Sequence, residues 1–458
     1  MISLSNILIK NAKVITTMNT NRDQLKDHDI LIKGNKIHKI SKNIDLSNEQ
    51  IDEIIDGSKY YVYPGLINTH HHFYQTFTRN IPQVQNVELF DWLKFLYPIW
   101  SRLTPEVVYY STLVAAGELL KTGCTTSVDQ FYVFPKNQPP DLLDNEFYAA
   151  REIGIRLHGS RGSMSLSEKD GGLPPDSVVQ TENEILKDSQ RIIDKFHDPS
   201  SFSMHRVILA PCSPFSVTST LLKQSIQLAR EYSVCSHTHL AETKDEEKFC
   251  IETFGKRPLE YMESLDWLGP DVWFAHGVHF NEEEIDKLAL THTGVAHCPV
   301  SNSKLASGAA NIPYMLKKGV KVSLAVDGSA SNDSSNMILE MKTAFLMSRL
   351  IYSISAITAE DVLYMATKGG SEVINQPEIG SLEEGKAADM FLIRWDRLGY
   401  TGGLYDPISM LINTGDSQIV DMTIVNGEIV VKDGELVKVD ERKIIDKANE
   451  LSKRMVEV

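Results

Sequence analysis

Hydrophobic and polar positions change their period along this chain, and the changes mark out its parts. Residues 7–17 and 29–40 carry β-prone runs (ILIKNAKVIT and DILIKGNKIHKI) with alternating character around a Lys33-Gly34-Asn35 turn, which predicts hairpin strands. The same texture returns at residues 388–393 and 422–431, beside Asn426-Gly427 and Asp433-Gly434 turn signals. One small β domain assembled from both chain ends is expected. Between them, apolar runs of a few residues alternate with amphipathic stretches, the pattern of a buried parallel sheet with crossover helices. Eight strands are predicted, at 62–68, 125–129, 155–159, 207–211, 234–239, 272–276, 294–297 and 320–327, and eight is the number of strands in a TIM barrel. Helix starts are legible as well. Thr104-Pro105-Glu106 supplies a cap, a first-turn proline and an acidic first turn, with Gly123 as the stop, and Thr358-Ala359-Glu360-Asp361 opens another helix. The expected architecture is a TIM (β/α)8 barrel over residues 61–379, a composite β-sandwich from 1–60 and 380–440, and a C-terminal helix or tail at 441–458.

Length and composition narrow the function classes. A chain of 458 residues has room for about three minimal domains or one large barrel with an accessory unit. With 42% hydrophobic and 23% charged residues it has the make-up of a soluble globular protein. No stretch approaches the roughly 20 apolar residues of a membrane span. The 61 acidic against 46 basic residues give −15, a field that repels phosphate backbones, so no nucleic-acid polymer is expected as partner. Cys124, Cys212, Cys235, Cys250 and Cys298 are odd in number and scattered, as reduced thiols would be. The N-terminus lacks a secretion-signal pattern, and cytoplasmic residence is expected.

The chemistry concentrates where predicted strands end. Thr69-His70-His71-His72 follows the first strand, and residues two apart on a strand face one side, so His70 and His72 would point together while His71 points away. Two such imidazoles are half of a metal site, or a structural core cluster. The fifth strand ends His237-Thr238-His239-Leu240-Ala241-Glu242; His239 offers a third nitrogen, Glu242 a proton carrier, and His237 a structural role. His276 ends the sixth strand, and Asp327 the eighth. A carboxylate after a buried strand is costly unless paired, capping a helix or bound to metal.

The order of these signals along the chain, together with Pro64-Gly65-Leu66-Ile67-Asn68-Thr69-His70 and the IGSLEEGKAADM segment at 379–390, resembles the amidohydrolase superfamily over nearly the whole chain. The runs PGLINTHHHFYQTFTRNIP, LFDWLKFLYPIW, SRGSMSLSEKDGGLPP and AVDGSASNDSSN are most similar to 8-oxoguanine deaminases, with triazine hydrolases also similar. The resemblance implies one divalent metal, Zn²⁺ or else Fe²⁺, held by His70, His72, His239 and Asp327. It also implies acid–base and orienting roles for Glu242 and His276, with Asp327 accepting a proton. The implied reaction is hydrolytic release of ammonia from an amino-substituted lactam heterocycle. Alternatives are a hydroxy- or chloro-triazine hydrolase, a guanine or isocytosine deaminase, or an inactive barrel serving as a binding subunit. A dinuclear site would want a bridging lysine at the fourth strand's end, where Leu209-Ala210-Pro211-Cys212 stands instead. The H-x-E…P-C-x-x-C deaminase signature is absent.

Four positions are candidates for reading the substrate. Gln75 offers a donor and an acceptor that match a lactam edge, or is a solvated helix residue. Arg161 could bind a carbonyl with its planar fork, or form a surface ion pair. Trp92 could wall a ring face, or be core. Cys212 reads as small pocket lining, with no base placed to make it a nucleophile. Ser301 and Asn302 fall near the seventh strand's end as a structural turn. Partners are a small heterocycle and water, with a homodimer as the expected assembly.

Overall fold

The computed structural model describes residues 6–47, 49–415 and 419–457. Eight parallel strands, Leu66–Asn68, Cys124–Phe131, Arg156–Ser163, His205–Pro211, Ser236–Leu240, Val272–His276, Gly294–His297 and Val322–Leu324, lie side by side in chain order. The seam between the eighth and the first is sewn largely by side chains. Val326 N–H donates to Asn68 Oδ1 at 2.9 Å, and the Thr69 hydroxyl donates to the Leu324 carbonyl at 3.2 Å. Asn68 Nδ2 donates in turn to Ser127 Oγ on the second strand at 3.0 Å. A buried amide thus replaces ladder bonds that such short strands cannot make. The result is the TIM (β/α)8 barrel, with its strand ends converging on one mouth.

The two chain ends build one mixed sheet of nine strands. Asn6–Thr16 pairs parallel with Glu53–Asp56 and Tyr60–Pro64, and antiparallel with Gln24–Lys33; Tyr60–Pro64 pairs antiparallel with Met390–Arg394. The composite domain expected as a sandwich is, in its hydrogen bonding, this single continuous sheet. Alternation along its strands serves two cores. Val62, Met390 and Leu392 join Ile7, Ile9, Ile30 and Ile424 in a core of the sheet's own. Tyr61, Tyr63, Phe391 and Ile393 point the other way into the large core shared with the barrel, where Tyr63 stacks on Phe391 at 5.1 Å.

The run at 62–68, expected as one strand, is two. Tyr60–Pro64 belongs to the terminal sheet and Leu66–Asn68 to the barrel. The break comes at Gly65, whose N–H donates to the Asp389 carbonyl at 3.0 Å and where a Cβ would lie 2.1 Å from Thr125 Oγ1. Continuous apolar character cannot reveal such a crossing, because both segments are buried. A buried ion pair clamps the same junction: Arg156 of the third barrel strand meets Asp389, and it also donates to Asn426 Oδ1 at 3.2 Å.

Helices start where the caps predicted. Thr104 Oγ1 accepts from Val107 N–H ahead of Pro105–Lys121, and Thr358 forms a capping box with Asp361 ahead of Ala359–Ala366. The C-terminal helix Glu441–Val456 buries Ile444, Ala448, Leu451 and Met455 along one stripe, against Pro105–Lys121. Among the described residues, no helix is long and apolar enough to cross a membrane.

Replacing Arg156 by Leu would leave the Asp389 carboxylate buried without its counter-charge, a loss of about 3–5 kcal/mol. Removing the exposed Lys432–Glu53 pair should cost under about 1 kcal/mol. Urea unfolding of Arg156→Leu and Lys432→Met side by side checks this; equal shifts would mean that the junction is not held by its ion pair.

Candidate metal centre

Three of the candidate segments turn sharply at or beyond their strand ends. Ala241, His276 and Asp327 all adopt left-handed backbone, with φ of 54°, 71° and 61°, just past the fifth, sixth and eighth strands. Non-glycine residues there cost of order 1–3 kcal/mol each and persist only where surroundings over-determine them. His70, His72, His239, His276, Glu242 and Asp327 meet at one place, all buried.

The hydrogen bonds outside that cluster decide what it can hold. His72 Nδ1–H donates to the Gln130 carbonyl at 2.8 Å, and His239 Nδ1–H donates to the Cys212 carbonyl at 2.6 Å. His237, stacked on Trp273, gives its Nδ1–H to the Trp273 carbonyl at 3.1 Å, so its Nε2 accepts from His70 Nδ1–H at 2.7 Å. His276 Nδ1–H donates to Asn302 Oδ1 at 2.9 Å. With the Nδ1 protons directed outwards, His70, His72 and His239 turn Nε2 inwards as acceptors, while His276 Nε2 faces the same space beside the Glu242 carboxylate. His72 Nε2 and His239 Nε2 stand 3.1 Å apart, and both His70 Nε2 and His72 Nε2 lie 3.3 Å from Asp327 Oδ1.

Acceptors pressed together this way repel one another unless a cation or a proton lies between them. Burial pushes His70 and His239 well below the ordinary imidazole range, which favours the unprotonated ligand form. His70 Nε2 is buried with no hydrogen-bond partner. Donor atoms of His70, His239, His276 and Asp327 all lie within 4.8 Å of one another, and His72 joins through its contacts with His239 and Asp327. The donor set therefore fits one divalent cation.

Buried titratable groups flank this cage. Glu242 Oε2 lies 3.7 Å from His276 Nε2. Burial raises the Glu242 carboxyl above its ordinary value against the pull of His276. Burial opposes protonation of His276, but the Glu242 and Asp327 carboxylates outweigh it and raise that imidazole. Asp327 Oδ2 accepts from Ser301 Oγ at 2.5 Å and from Ser331 Oγ at 3.1 Å. Ser301 and Asn302, expected as a plain turn, thus lie on the short helix Pro299–Lys304 and grip Asp327 and His276.

A narrow cavity opens onto this floor. Its far wall is apolar, formed by Leu89, Trp92, Leu93, Phe215 and Leu305, while Gln75, Tyr132, Cys212 and Ser331 complete the rim. Gln75 is buried with its Oε1 unpartnered, pressed on Gly328, where a Cβ would fall 1.9 Å from that oxygen. Trp92 lies in the wall, its buried Nε1–H without a protein acceptor. Burial pushes the Cys212 thiol up to about 12, consistent with lining rather than attack.

Arg161 is not brought to the cavity. Its Nε–H donates to Asp188 at 2.6 Å, its Nη2–H to Gln180 at 2.9 Å, and its guanidinium carbon lies 3.7 Å from the Phe134 ring centre. It forms an ion pair, but a buried one and not the surface pair expected. His71 turns away from the cage to Ser335 Oγ at 2.9 Å. Tyr132, Phe215, Leu305 and Ser331 carry no signal in the sequence pattern, because residues separated so widely along the chain become one surface only when the barrel closes.

Known proteins share this architecture. The chain is 46% identical to an 8-oxoguanine deaminase of Pseudomonas aeruginosa over 385 residues, covering 84% of this chain and 85% of that one. It is 37% identical over 437 residues to the hydroxydechloroatrazine ethylaminohydrolase of Pseudomonas sp. (strain ADP), covering 94% and 90%. The crystal structure of an atrazine chlorohydrolase from Arthrobacter aurescens TC1 complexed with zinc superposes with a TM-score of 0.93 at 32% identity, covering 97% of this chain and 100% of that one. Residues 61–430 match the amidohydrolase family model, and with the strand-end cage already described this means that the chain belongs to the amidohydrolase family.

Proposed function

We propose that the protein is a metal-dependent aminohydrolase that releases ammonia from a flat, amino-substituted lactam heterocycle, with 8-oxoguanine as the substrate. The observation that carries this reading is the inward set of imidazole lone pairs beside Asp327, with Glu242 above it, at the base of a slot walled by apolar side chains. The likeness to the 8-oxoguanine deaminase over 84% of the chain supports the choice of substrate. His70, His72, His239 and Asp327 would hold the cation; the zinc in the related chlorohydrolase structure supports Zn²⁺. Bound there, a divalent cation supplies Lewis acidity and a water acidified toward about 7.

The chain's own groups supply the rest. Glu242, its carboxyl raised above its ordinary value by burial, delivers a proton to the ring nitrogen next to the amine-bearing carbon, so that charge does not build on the ring. Asp327, steadied by Ser301 and Ser331, accepts the proton from the attacking water and passes it toward the departing amine. His276, its Nδ1–H fixed on Asn302, aims Nε2 at the reacting oxygen and stabilises the developing charge. Gln75 Oε1, buried and unpartnered, is free to accept a lactam N–H, while its amide N–H can donate to the lactam oxygen. Trp92 covers a ring face. The five unpaired thiols support a reducing, cytoplasmic setting.

An ammonia-release screen of the zinc-loaded protein should show its highest turnover with 8-oxoguanine among oxopurines, pyrimidines and triazines. Chloride release from a chloro-triazine without deamination of any substrate would overturn the assignment. Glu242→Gln should keep its metal and lose roughly 10²–10⁴ in kcat; normal turnover in that variant would remove the proton-transfer role. Chelation should abolish activity and stoichiometric Zn²⁺ restore it, with metal content read by atomic absorption; two ions per active chain would contradict the single cage.

A further inference from the structure

The helix Lys244–Phe254 begins unlike the three helices that close a capping box. In the helices that start at Glu182, Glu282 and Ala359, the third residue after the cap carries a carboxylate that reaches back to the cap's own N–H, closing a capping box with Thr181, Asn281 and Thr358. Here Thr243 caps in the ordinary way, its Oγ1 accepting from Glu246 N–H at 3.3 Å. The Glu246 carboxylate reaches past the cap. Its Oε1 accepts from Ala241 N–H at 2.8 Å and its Oε2 from Glu242 N–H at 2.9 Å.

The gripped peptides are the ones that aim Glu242. Ala241 is left-handed, and its carbonyl accepts from His279 N–H at 2.9 Å, while the Leu240 carbonyl accepts from Gly277 N–H at 3.1 Å. One side of the turn is thus tied to the end of the sixth strand and the other to Glu246. Glu246 is wholly buried, and burial raises its carboxyl to about 7 against the pull of the two amides. Burying a carboxylate is costly, and the helix already has its cap in Thr243. We infer that Glu246 is a positioning residue, whose two-oxygen grip on the Ala241–Glu242 turn holds the Glu242 carboxylate over the cavity. This rests on the reading of Glu242 as proton carrier and extends it to a residue that touches neither substrate nor metal.

Glu246→Gln keeps the shape but presents an NH₂ donor to one of two N–H groups, which loosens the turn. It should lower kcat about 10- to 100-fold in the ammonia-release assay, as sub-ångström misplacement of a reacting group does. KM should stay within about 3-fold and zinc content be unchanged. Glu246→Asp, too short to span both amides, should fall between, and serves as the test if the Gln variant does not fold. In a Glu242→Gln background, the further change Glu246→Gln should alter kcat less than about 2-fold, because its effect passes through Glu242. Thr243→Ala should lower Tm yet keep kcat within about 2-fold, separating helix capping from aiming. An unchanged kcat in Glu246→Gln, or an equal loss in both backgrounds, overturns the inference while leaving the deaminase reading intact. A zinc-loaded parent that releases no ammonia from any heterocycle overturns both.

Discussion

Four imidazole nitrogens and a carboxylate oxygen point at one another inside this barrel, and nothing in their own chemistry would place them so. Like-polarity acceptors separate when free to do so. They are held because each imidazole surrenders its proton elsewhere: to the carbonyls of Gln130 and Cys212, to His237, and to Asn302. The fold holds these groups against their repulsion, and a divalent cation among them would relieve it.

These outward anchors come from other strands than the ligands they orient. Gln130 belongs to the second strand, Cys212 follows the fourth, and Ser301 and Asn302 follow the seventh. Strands two, four and seven, which carry no ligand in the proposed cage, thus shape the centre through backbone carbonyls and short polar side chains. The left-handed turns at Ala241, His276 and Asp327 belong to the same economy of strain. Each is tolerable because bonds from neighbouring segments fix it, and each swings a functional group from the strand axis over the mouth.

The terminal sheet has a mechanical relation to this arrangement. It shares a core with the barrel through Tyr61, Tyr63, Phe391 and Ile393, and feeds the first barrel strand directly through Gly65. His70 and His72 follow that strand within a few residues, so the sheet, the Arg156–Asp389 clamp and the Asn68 seam together set where these two imidazoles stand.

The sequence alone determined the elements and the chemistry available at their ends. Alternation and apolar runs located the strands, caps located helix starts, and His70-x-His72, His239-x-x-Glu242, His276 and Asp327 stood out because polar groups after buried strands need a partner. Tertiary structure decided what depends on distance across the barrel. It split the run at 62–68 between two sheets and sent Arg161 to Asp188. It turned Ser301 and Asn302 into supports for Asp327 and His276, and chose Leu89, Phe215 and Leu305 as cavity wall. Pattern along a chain records which face of an element is buried. Which buried faces meet, and at what distance, is fixed only when strands far apart in sequence close on one another.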